Sequence, residues 1–258
     1  MKYKAIFFDM DGTLTSLATH QIPESASLAL HLAKERGVKL FLATGRHPLL
    51  FPSAVKALPF DGYLTANGQY CYNDKEVIHR KGIPPADKKA LVEFLKASPC
   101  PMMFMAENEL YLNMPDEKVQ KVIALLNMPP IPVKDPATCL TEDIFALLLF
   151  GDERMEGPLM QAMPGCKATR WTPAFADIIP RDGGKDIGIN AILAHYGLSR
   201  PETMAFGDAQ NDIAMLSQVG LGIAMGGADP EVQAAADHVT DAPEADGIWN
   251  ALKQFGVI

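Results

Sequence analysis

Ala5-Ile-Phe-Phe-Asp9-Met-Asp11-Gly-Thr13, near the start of the chain, is the stretch that decides the fold. It begins with a short apolar run, which is typical of a buried β-strand, and it ends in two aspartates and an Asp-Gly turn. Ligands of open α/β sheets bind at the carboxyl ends of such strands. Two carboxylates this close favour a bound cation or a raised pKa for one of them. Taken alone, the stretch fits a functional turn and an ordinary solvated turn equally well.

Strands and helices alternate beyond this stretch and again at the far end of the chain. A helix is predicted over residues 24–36, and Gly37 follows it as a C-terminal cap. Asn67-Gly68 is a strong signal for a tight turn. The remaining strands predicted at the two ends are 38–43, 62–66, 70–72, 77–79, 203–206, 221–225 and 238–240, and the remaining helices are 212–218, 230–236 and 246–255. This alternation predicts a parallel sheet, because parallel strands need crossover connections.

The sequence pattern changes in the middle of the chain, which contains proline-rich segments and runs that predict both helices and strands. The strands predicted there are 102–105, 110–113, 145–150 and 176–179, and the helices are 86–97 and 116–126. We therefore expect an α/β protein with a Rossmann-like parallel-sheet core domain and an inserted α+β cap domain. The predicted core comprises residues 1–82 and 182–258, and the predicted cap comprises residues 83–181.

Composition and charge exclude several classes of protein. The 258 residues include 23 Lys plus Arg against 31 Asp plus Glu, so the net charge of −8 disfavours sequence-independent binding of nucleic acid. The longest apolar run, residues 144–150, is far shorter than the roughly 20 residues that a membrane-spanning helix needs. The apolar stretch before Asp9 is too short to be the centre of a signal peptide, so we expect a cytoplasmic protein without nucleic-acid or membrane partners. The four scattered cysteines indicate neither a disulfide framework nor a structural zinc site. The sequence does not assign an oligomeric state.

Three further motifs carry chemistry. Thr44-Gly45-Arg46 follows a predicted strand, where it could hold an anion or simply begin a helix. Lys185 lies in Gly183-Gly-Lys-Asp-Ile-Gly188, which we interpret as a flexible loop before a helix; the spacing excludes a phosphate-binding P-loop, and a lone lysine there could be a surface charge. Gly207-Asp208-Ala-Gln-Asn211-Asp212 follows another predicted strand, and its acids could cap a helix.

These motifs together indicate phosphoryl transfer, although each has an ordinary structural explanation. A carboxylate nucleophile, a hard cation, hydrogen-bond donors and a lysine are the parts that this reaction needs. A nicotinamide site is excluded, since Met225 stands where the dinucleotide-binding fingerprint requires its third glycine.

The ordered set of motifs resembles the haloacid dehalogenase-like superfamily, and within it the Cof-like phosphatases, which have a large cap domain between their second and third motifs. Asp9-Met-Asp11-Gly-Thr13 matches the first motif and Thr44-Gly45-Arg46 the second. Lys185 matches the third, and the segment from Gly207 to Asp212 matches the fourth. The pair Ala209-Gln210 departs from many relatives but leaves the acids and Asn211 intact. The resemblance extends over essentially the whole chain.

The resemblance implies a mechanism and a set of site residues. Asp9 would attack phosphorus and form an aspartyl-phosphate, while Asp11 would act as general acid and then as general base. The implied cofactor is Mg²⁺, and its implied ligands are the Asp9 carboxylate, the Asp11 backbone carbonyl and the Asp208 carboxylate, with Asp212 behind them. The implied phosphate-binding groups are Thr44, Gly45, Lys185, Asn211 and the backbone N–H groups of Met10 and Asp11. The substrate would be a small phosphate ester, with sugar phosphates the leading class.

Substrate contacts outside the motifs are predicted more loosely. The candidates are Arg46, His47, Arg170, Trp171, Phe175 and Asp177. Trp171 and Phe175 could equally belong to the cap core, and Arg46 and His47 could be solvated neighbours of the second motif.

Other functions also stay open at this point. A phosphosugar mutase and a phosphatase for nucleotide or vitamin phosphates are the alternatives among enzymes. A receiver-like signalling protein also accepts phosphate on an aspartate, but a second carboxylate at Asp11 and a large insertion argue against it.

Overall fold

The computed structural model describes residues 2–125, 128, 130–172 and 174–258, and of residues 118, 125, 171 and 172 it describes the backbone alone. The strands are β1 (Ala5–Phe8), β2 (Lys39–Ala43), β3 (Gly62–Thr65), β4 (Tyr70–Tyr72), β5 (Val77–Arg80), β6 (Met102–Ala106), β7 (Leu110–Leu112), β8 (Ile144–Leu149), β9 (Cys166–Thr172), β10 (Phe175–Pro180), β11 (Thr203–Gly207), β12 (Leu221–Ala224) and β13 (His238–Val239). The helices are α1 (Glu24–Glu35), α2 (Ser53–Lys56), α3 (Pro85–Ala97), α4 (Glu117–Leu125), α5 (Glu156–Ala162), α6 (Lys185–Tyr196), α7 (Ile213–Gln218), α8 (Pro230–Ala235) and α9 (Gly247–Gln254). Leu126, the last residue of the predicted helix 116–126, lies outside the described residues.

The chain divides into two compact units. The first unit comprises Met1–Thr44, Phe51–His79 and Gly184–Ile258, and the second comprises Gly45–Leu50 and Arg80–Gly183. The junctions that bound the insertion lie at 79/80 and 183/184, and the domain boundaries at 82/83 and 181/182 stay predictions from the sequence. The sequence also assigned residues 45–50 to the core, whereas they group with the second unit. The physical reason is the ring of His47, whose Nε2 lies 2.7 Å from the carbonyl oxygen of Ala106.

The first unit is built on a mostly parallel sheet. Within the described residues it has eight strands in the order β13-β12-β11-β1-β2-β3-β4-β5. Neighbours from β13 to β3 run parallel, and β4 pairs antiparallel with β3. The α/β class and the parallel sheet predicted from the sequence are therefore confirmed.

Helices cover both faces of this sheet, which explains why its central strands are apolar without alternation. In β1, Ile6 and Phe8 pack into one hydrophobic cluster with residues of α1 and α9. Phe7 packs on the opposite face, in a cluster with residues of α6, α7 and α8. A strand buried on both faces needs an apolar side chain at every position. The charged and polar residues therefore begin where the strand ends, at Asp9.

The second unit is an antiparallel sheet with helices packed against it. Within the described residues its five strands have the order β7-β6-β8-β10-β9. Residues of α3 and α5 join the sheet in one hydrophobic cluster. The sequence predicted β6, β7, β8 and β10 with small shifts, but it did not predict α5 or β9. The inserted α+β architecture agrees with that expectation, and its role as a cap stays a prediction.

Two general features complete the fold. The four cysteines are buried and free of disulfide bonds. In the described part of the chain, no helix combines the length and the apolar character needed to cross a bilayer.

Candidate functional site

The candidate site forms at one edge of the parallel sheet, where three neighbouring strands end. Asp9 follows β1, Thr44 follows β2 and Asp208 follows β11. Because β11, β1 and β2 lie side by side and run parallel, their carboxyl ends meet at this edge. Lys185 and Asp212 join them from the start of α6 and from the turn before α7. The first unit thus assembles one site from segments that are far apart in the sequence.

Three aspartates and one lysine make up the centre of the site. Carboxylate oxygens of Asp9, Asp208 and Asp212 all lie within 4.8 Å of one another. The ammonium of Lys185 donates hydrogen bonds to Asp9 Oδ1 at 2.5 Å and to Asp212 Oδ1 at 2.6 Å. Both the lysine and Asp212 are buried, with 1% and 0% of their surface exposed. The lysine therefore offsets part of a concentrated negative charge, because it contacts two of the three carboxylates directly.

Lys185 corrects two expectations from the sequence. It is the first residue of α6 rather than part of a loop before a helix. It is also buried, so the alternative of a surface charge is wrong. The backbone of Gly184, with φ 158 and ψ 167, is extended and lets the chain enter the helix with the lysine directed inward.

Burial and charge repulsion shift the pKa values in this cluster. Burial raises the pKa of the Asp9 carboxyl well above its ordinary value; Lys185 opposes this shift, and the neighbouring carboxylates add to it. Burial and the charge of Asp212 raise the pKa of Asp208 to about 7. For Lys185, burial alone would lower the pKa, but its two carboxylate partners outweigh burial and raise it. The lysine thus stays charged, and the site as a whole would gain from a further cation.

The turn after Asp9 is tied to Asp208. The hydroxyl of Thr13 donates a hydrogen bond to Asp208 Oδ1 at 2.8 Å. Gly12 has a φ of +85°, and a Cβ at this position would lie 2.1 Å from Asp208 Oδ2. Thr15 closes the turn, because both its backbone N–H and its hydroxyl donate to the carbonyl of Met10, at 2.8 and 2.9 Å. The Gly-Thr pair of the first motif therefore lets Asp208 approach and then fixes one of its oxygens.

Asp212 has two tasks, one for each carboxylate oxygen. Its Oδ2 accepts hydrogen bonds from the backbone N–H groups of Asp208 and Ala209, both at 3.1 Å. Its Oδ1 accepts from Lys185. Asp212 therefore holds the turn that precedes α7 while it contacts the lysine, but its side chain makes no capping hydrogen bond to α7 itself. Because it holds the backbone of Asp208, Asp212 also fixes where that side chain begins.

Among the predicted phosphate-binding residues, the first unit brings Met10, Thr44, Lys185 and Asn211 to this edge. Thr44 is buried, and its backbone N–H donates to the carbonyl of Leu64 at 2.8 Å. The amide of Asn211 donates to Asn67 Oδ1 at 2.9 Å.

Asp11 is half-buried and forms a backbone bridge with Thr15. Its roles as acid, base, phosphate donor and metal ligand stay predictions.

Gly45, Arg46 and His47 belong to the second unit. Arg46 donates to the carbonyl of Leu50 at 3.2 Å. His47 is 3% exposed, so it is not the solvated neighbour that the sequence allowed. Burial lowers the pKa of His47, although its contact with Ala106 acts in the opposite direction.

The remaining candidate substrate contacts lie on β9 and β10 of the second unit. Arg170 donates to Glu156 Oε1 at 2.6 Å and to the carbonyl of Gly151 at 3.2 Å. Phe175 is buried with its ring 5.7 Å from that of Phe150, as the alternative of a core residue requires. Asp177 is also buried. The side chain of Trp171 lies outside the described part of the structure.

The donor set fits a magnesium ion. Mg²⁺ prefers hard oxygen ligands and binds through carboxylates together with water and substrate phosphate. Asp9, Asp208 and Asp212 offer three carboxylate oxygens at close range, and two of these groups have raised pKa values, as expected where a positive charge is needed. Sulfur and imidazole ligands, which softer metals prefer, do not occur in this cluster of described residues.

Two side chains of this site have no role that the sequence predicts. Thr13 lies in the first motif, but the motif alone indicates no contact for its hydroxyl. Asn67 was interpreted as a tight-turn residue, and its contact with Asn211 was not expected. The available signal for Asn67 was its position directly after a predicted strand of the parallel sheet, the same position that singled out Asp9 and Asp208.

The chain is similar to known proteins along almost its whole length. A family model described as haloacid dehalogenase-like hydrolase matches residues 6–252. The putative phosphatase YkrA of Bacillus subtilis is 32% identical, with 100% of both chains covered. An HMP-PP phosphatase of Escherichia coli O1:K1 is 32% identical over 90% of this chain and 87% of its own. The solved HAD subclass IIB sugar phosphatase BT4131 is 39% identical, with a TM-score of 0.92, and the match covers 99% of this chain and 100% of that one.

Proposed function

Because this chain belongs to the haloacid dehalogenase-like hydrolase family, we propose that it hydrolyses small phosphate monoesters with Mg²⁺ through an aspartyl-phosphate. It is a phosphatase of that family, as its relatives and its structural neighbours are. The observation that carries the proposal is the buried cluster of Asp9, Asp208, Asp212 and Lys185 at the carboxyl edge of the parallel sheet. Each residue has a chemical task in phosphoryl transfer.

Asp9 is the proposed nucleophile. Its carboxylate oxygen attacks phosphorus, the bond from phosphorus to the ester oxygen breaks, and the phosphoryl group is then attached to Asp9. Lys185 orients the nucleophile, because its ammonium donates a hydrogen bond to Asp9 Oδ1. Its positive charge also stabilises the negative charge that develops on the transferred phosphoryl group. The carboxylates of Asp9 and Asp208 and the backbone carbonyl of Asp11 would hold Mg²⁺, with Asp212 behind them, and the ion would supply additional positive charge for the phosphoryl oxygens.

Asp11 is the proposed general acid and base. It gives a proton to the departing alkoxide, which leaves as an alcohol, and it then takes a proton from the water that attacks the aspartyl-phosphate. The products are the alcohol and inorganic phosphate, and Asp9 returns as a free carboxylate. Thr44 and Asn211 donate hydrogen bonds to the phosphoryl oxygens during both steps.

The test is hydrolysis of p-nitrophenyl phosphate by the purified protein and by Asp9→Asn. We expect steady turnover by the wild type and a loss of about three orders of magnitude or more in kcat for Asp9→Asn, because an amide is a poor nucleophile. Asp74→Asn, a change at an exposed aspartate, is the matched control and should keep full activity. A tenth of wild-type activity in Asp9→Asn would contradict the assignment. One equivalent of phosphate trapped on the protein, with one equivalent of p-nitrophenol released and no further turnover, would instead support a signalling receiver.

Metal dependence and substrate class are tested with the same assay. EDTA should abolish turnover and Mg²⁺ should restore it, whereas full activity in EDTA would contradict the proposed ligand set. Sugar phosphates are the proposed substrate class, on the strength of the similarity to a sugar phosphatase at 39% identity. A screen should include nucleotides and vitamin phosphates, since another relative is an HMP-PP phosphatase. A higher kcat/KM for either of those classes than for every sugar phosphate would replace the proposed class.

A further inference from the structure

The segment after β3 has an uncommon backbone conformation. Ala66, Asn67 and Gly68 have φ values of 50°, 56° and 82°, so three successive residues lie in the left-handed region. This conformation is sterically disfavoured for residues with a side chain, and it persists where surrounding contacts enforce it. The segment lies directly at the carboxyl end of β3, beside the end of β2. Its contacts show what enforces the conformation.

One contact is with the second motif. The backbone N–H of Asn67 donates to the carbonyl oxygen of Thr44 at 3.0 Å. Thr44 is buried, and its own N–H is held by Leu64 in β3. The backbone of Thr44 is therefore fixed on both sides by β3 and the segment that follows it.

A second contact is with the third motif. A Cβ at Gly68 would lie 2.4 Å from the carbonyl oxygen of Gly184 and 3.1 Å from the Cα of Lys185. Gly188, one turn further along α6, also lies close to Gly68, since a Cβ at Gly188 would lie 2.9 Å from the Cα of Gly68. The left-handed segment thus packs directly against the residues from which the lysine side chain starts.

The third contact is with the fourth motif. Asn67 Oδ1 accepts a hydrogen bond from the amide of Asn211 at 2.9 Å, and Asn67 is 2% exposed. A carboxamide has two N–H donors in one plane, so fixing one of them fixes the direction of the other. Behind Asn67, the amide of the buried Gln69 donates to the carbonyl of Asn67 at 3.1 Å, and Gln69 Oε1 has no hydrogen-bond partner.

We propose that Asn67 is a positioning residue for phosphate binding, which acts by orienting the amide of Asn211. This inference rests on the proposed function, because the task of Asn211 is to donate to a phosphoryl oxygen. The left-handed turn brings the Asn67 side chain to Asn211 while its backbone holds Thr44 and its neighbour Gly68 supports the start of α6. Asn67 and Gly68 together therefore contact three phosphate-binding motifs.

The experiment is a double-mutant cycle with Asn67→Gly and Asn211→Ala. Glycine adopts the left-handed conformation without steric cost, so Asn67→Gly removes the carboxamide and keeps the turn. The readouts are the inhibition constant of inorganic phosphate and the separate kcat and KM values for p-nitrophenyl phosphate. We expect Asn67→Gly to weaken phosphate inhibition about 3- to 10-fold, the range that corresponds to one lost hydrogen bond. In the Asn211→Ala background, the same change should have almost no effect.

Asn73→Gly is the matched control, since this asparagine lies in the next turn of the chain and its amide contacts Tyr196. It should leave the phosphate inhibition constant unchanged. If Asn67→Gly weakens phosphate inhibition equally in the wild type and in Asn211→Ala, the effect is a general structural one and the inference is overturned. An unchanged inhibition constant in Asn67→Gly, with a normal melting temperature, would also overturn it. Absence of turnover in the wild type would instead overturn the proposed function, and the inference with it.

Discussion

Replacing Lys185 by methionine tests the electrostatic description of the site most directly. The ammonium lies between Asp9 and Asp212, at 2.5 and 2.6 Å from one oxygen of each, and it is fully enclosed. Methionine has a similar length and volume, so Lys185→Met removes the charge and leaves no large cavity. The two carboxylates are then left without their shared partner. Lys185→Met should therefore destabilise the protein through the uncompensated charge of the two carboxylates rather than through a packing defect.

The magnitude follows from the burial of the group. Removing one partner of a buried ion pair costs about 3–5 kcal/mol, because the remaining charge is left uncompensated. For a protein of this size, each kcal/mol lowers the melting temperature by about 2–4 °C, so we expect a decrease of about 6–20 °C in EDTA. The decrease should be smaller in mildly acidic solution. A carboxyl with a raised pKa takes up a proton there, and the penalty for an unpaired charge is then lost.

The assay is thermal unfolding followed by circular dichroism, in EDTA, near pH 5.5 and near pH 8. Lys75→Met is the matched control, because this lysine is exposed, and its melting temperature should differ from the wild type by no more than about 2 °C. A loss of less than about 1 kcal/mol for Lys185→Met near pH 8 would refute the reasoning. So would a loss that grows as the pH falls.

Two further predictions concern Asp208. Gly12→Ala should destabilise the protein by about 1–3 kcal/mol and weaken activation by Mg²⁺, because the new Cβ would displace Asp208. Gly37→Ala is the control for backbone strain, since Gly37 has a similar φ of +84° and a Cβ there would have nothing within 4 Å. Equal effects of the two changes on stability and on activation by Mg²⁺ would argue against the contact between position 12 and Asp208. The increase in melting temperature caused by a fixed Mg²⁺ concentration should be larger near pH 8 than near pH 5.5, because the pKa of Asp208 is about 7 and the protonated carboxyl must lose its proton to bind the ion. Equal increases at both pH values would contradict the second prediction.

The parts of the fold that the sequence predicts best are those with one dominant local pattern. β1 is an unbroken apolar run that ends at Asp9, and the apolar residues 204–206 of β11 are followed by Gly207 and Asp208. An apolar strand with polar residues at its carboxyl end is typical of a parallel sheet. Because the carboxyl ends of parallel strands meet at one edge, the same pattern predicts that Asp9, Thr44 and Asp208 lie together there. By contrast, β9 mixes charged, polar and aromatic residues without a clear period, and among the strands that the structure describes its one neighbour is β10. β9 is therefore a strand because it pairs with β10, and its own sequence pattern does not predict one.

Contacts between distant residues are the part of the site that local patterns cannot show. The hydrogen bond between Thr13 and Asp208 joins residues 195 positions apart, and that between Asn67 and Asn211 spans 144 positions. Each of these residues also has a sufficient local explanation as a turn or cap residue. The burial of Lys185 was missed for the same reason, since the carboxylates that stabilise its charge come from other strands and turns.

The position of β1 in its sheet has a consequence for how the protein is made. It pairs with β2, which follows soon after it, and with β11, whose Thr203 lies opposite Ala5. Within the described residues, three of the eight strands of this sheet are translated after the second unit. On the ribosome, β1 therefore keeps one side unpaired while residues 44–202, which lie between β2 and β11, are added, and such an unpaired side can pair with other chains. Chaperone demand should peak in that interval, since only the arrival of β11 covers the waiting strand.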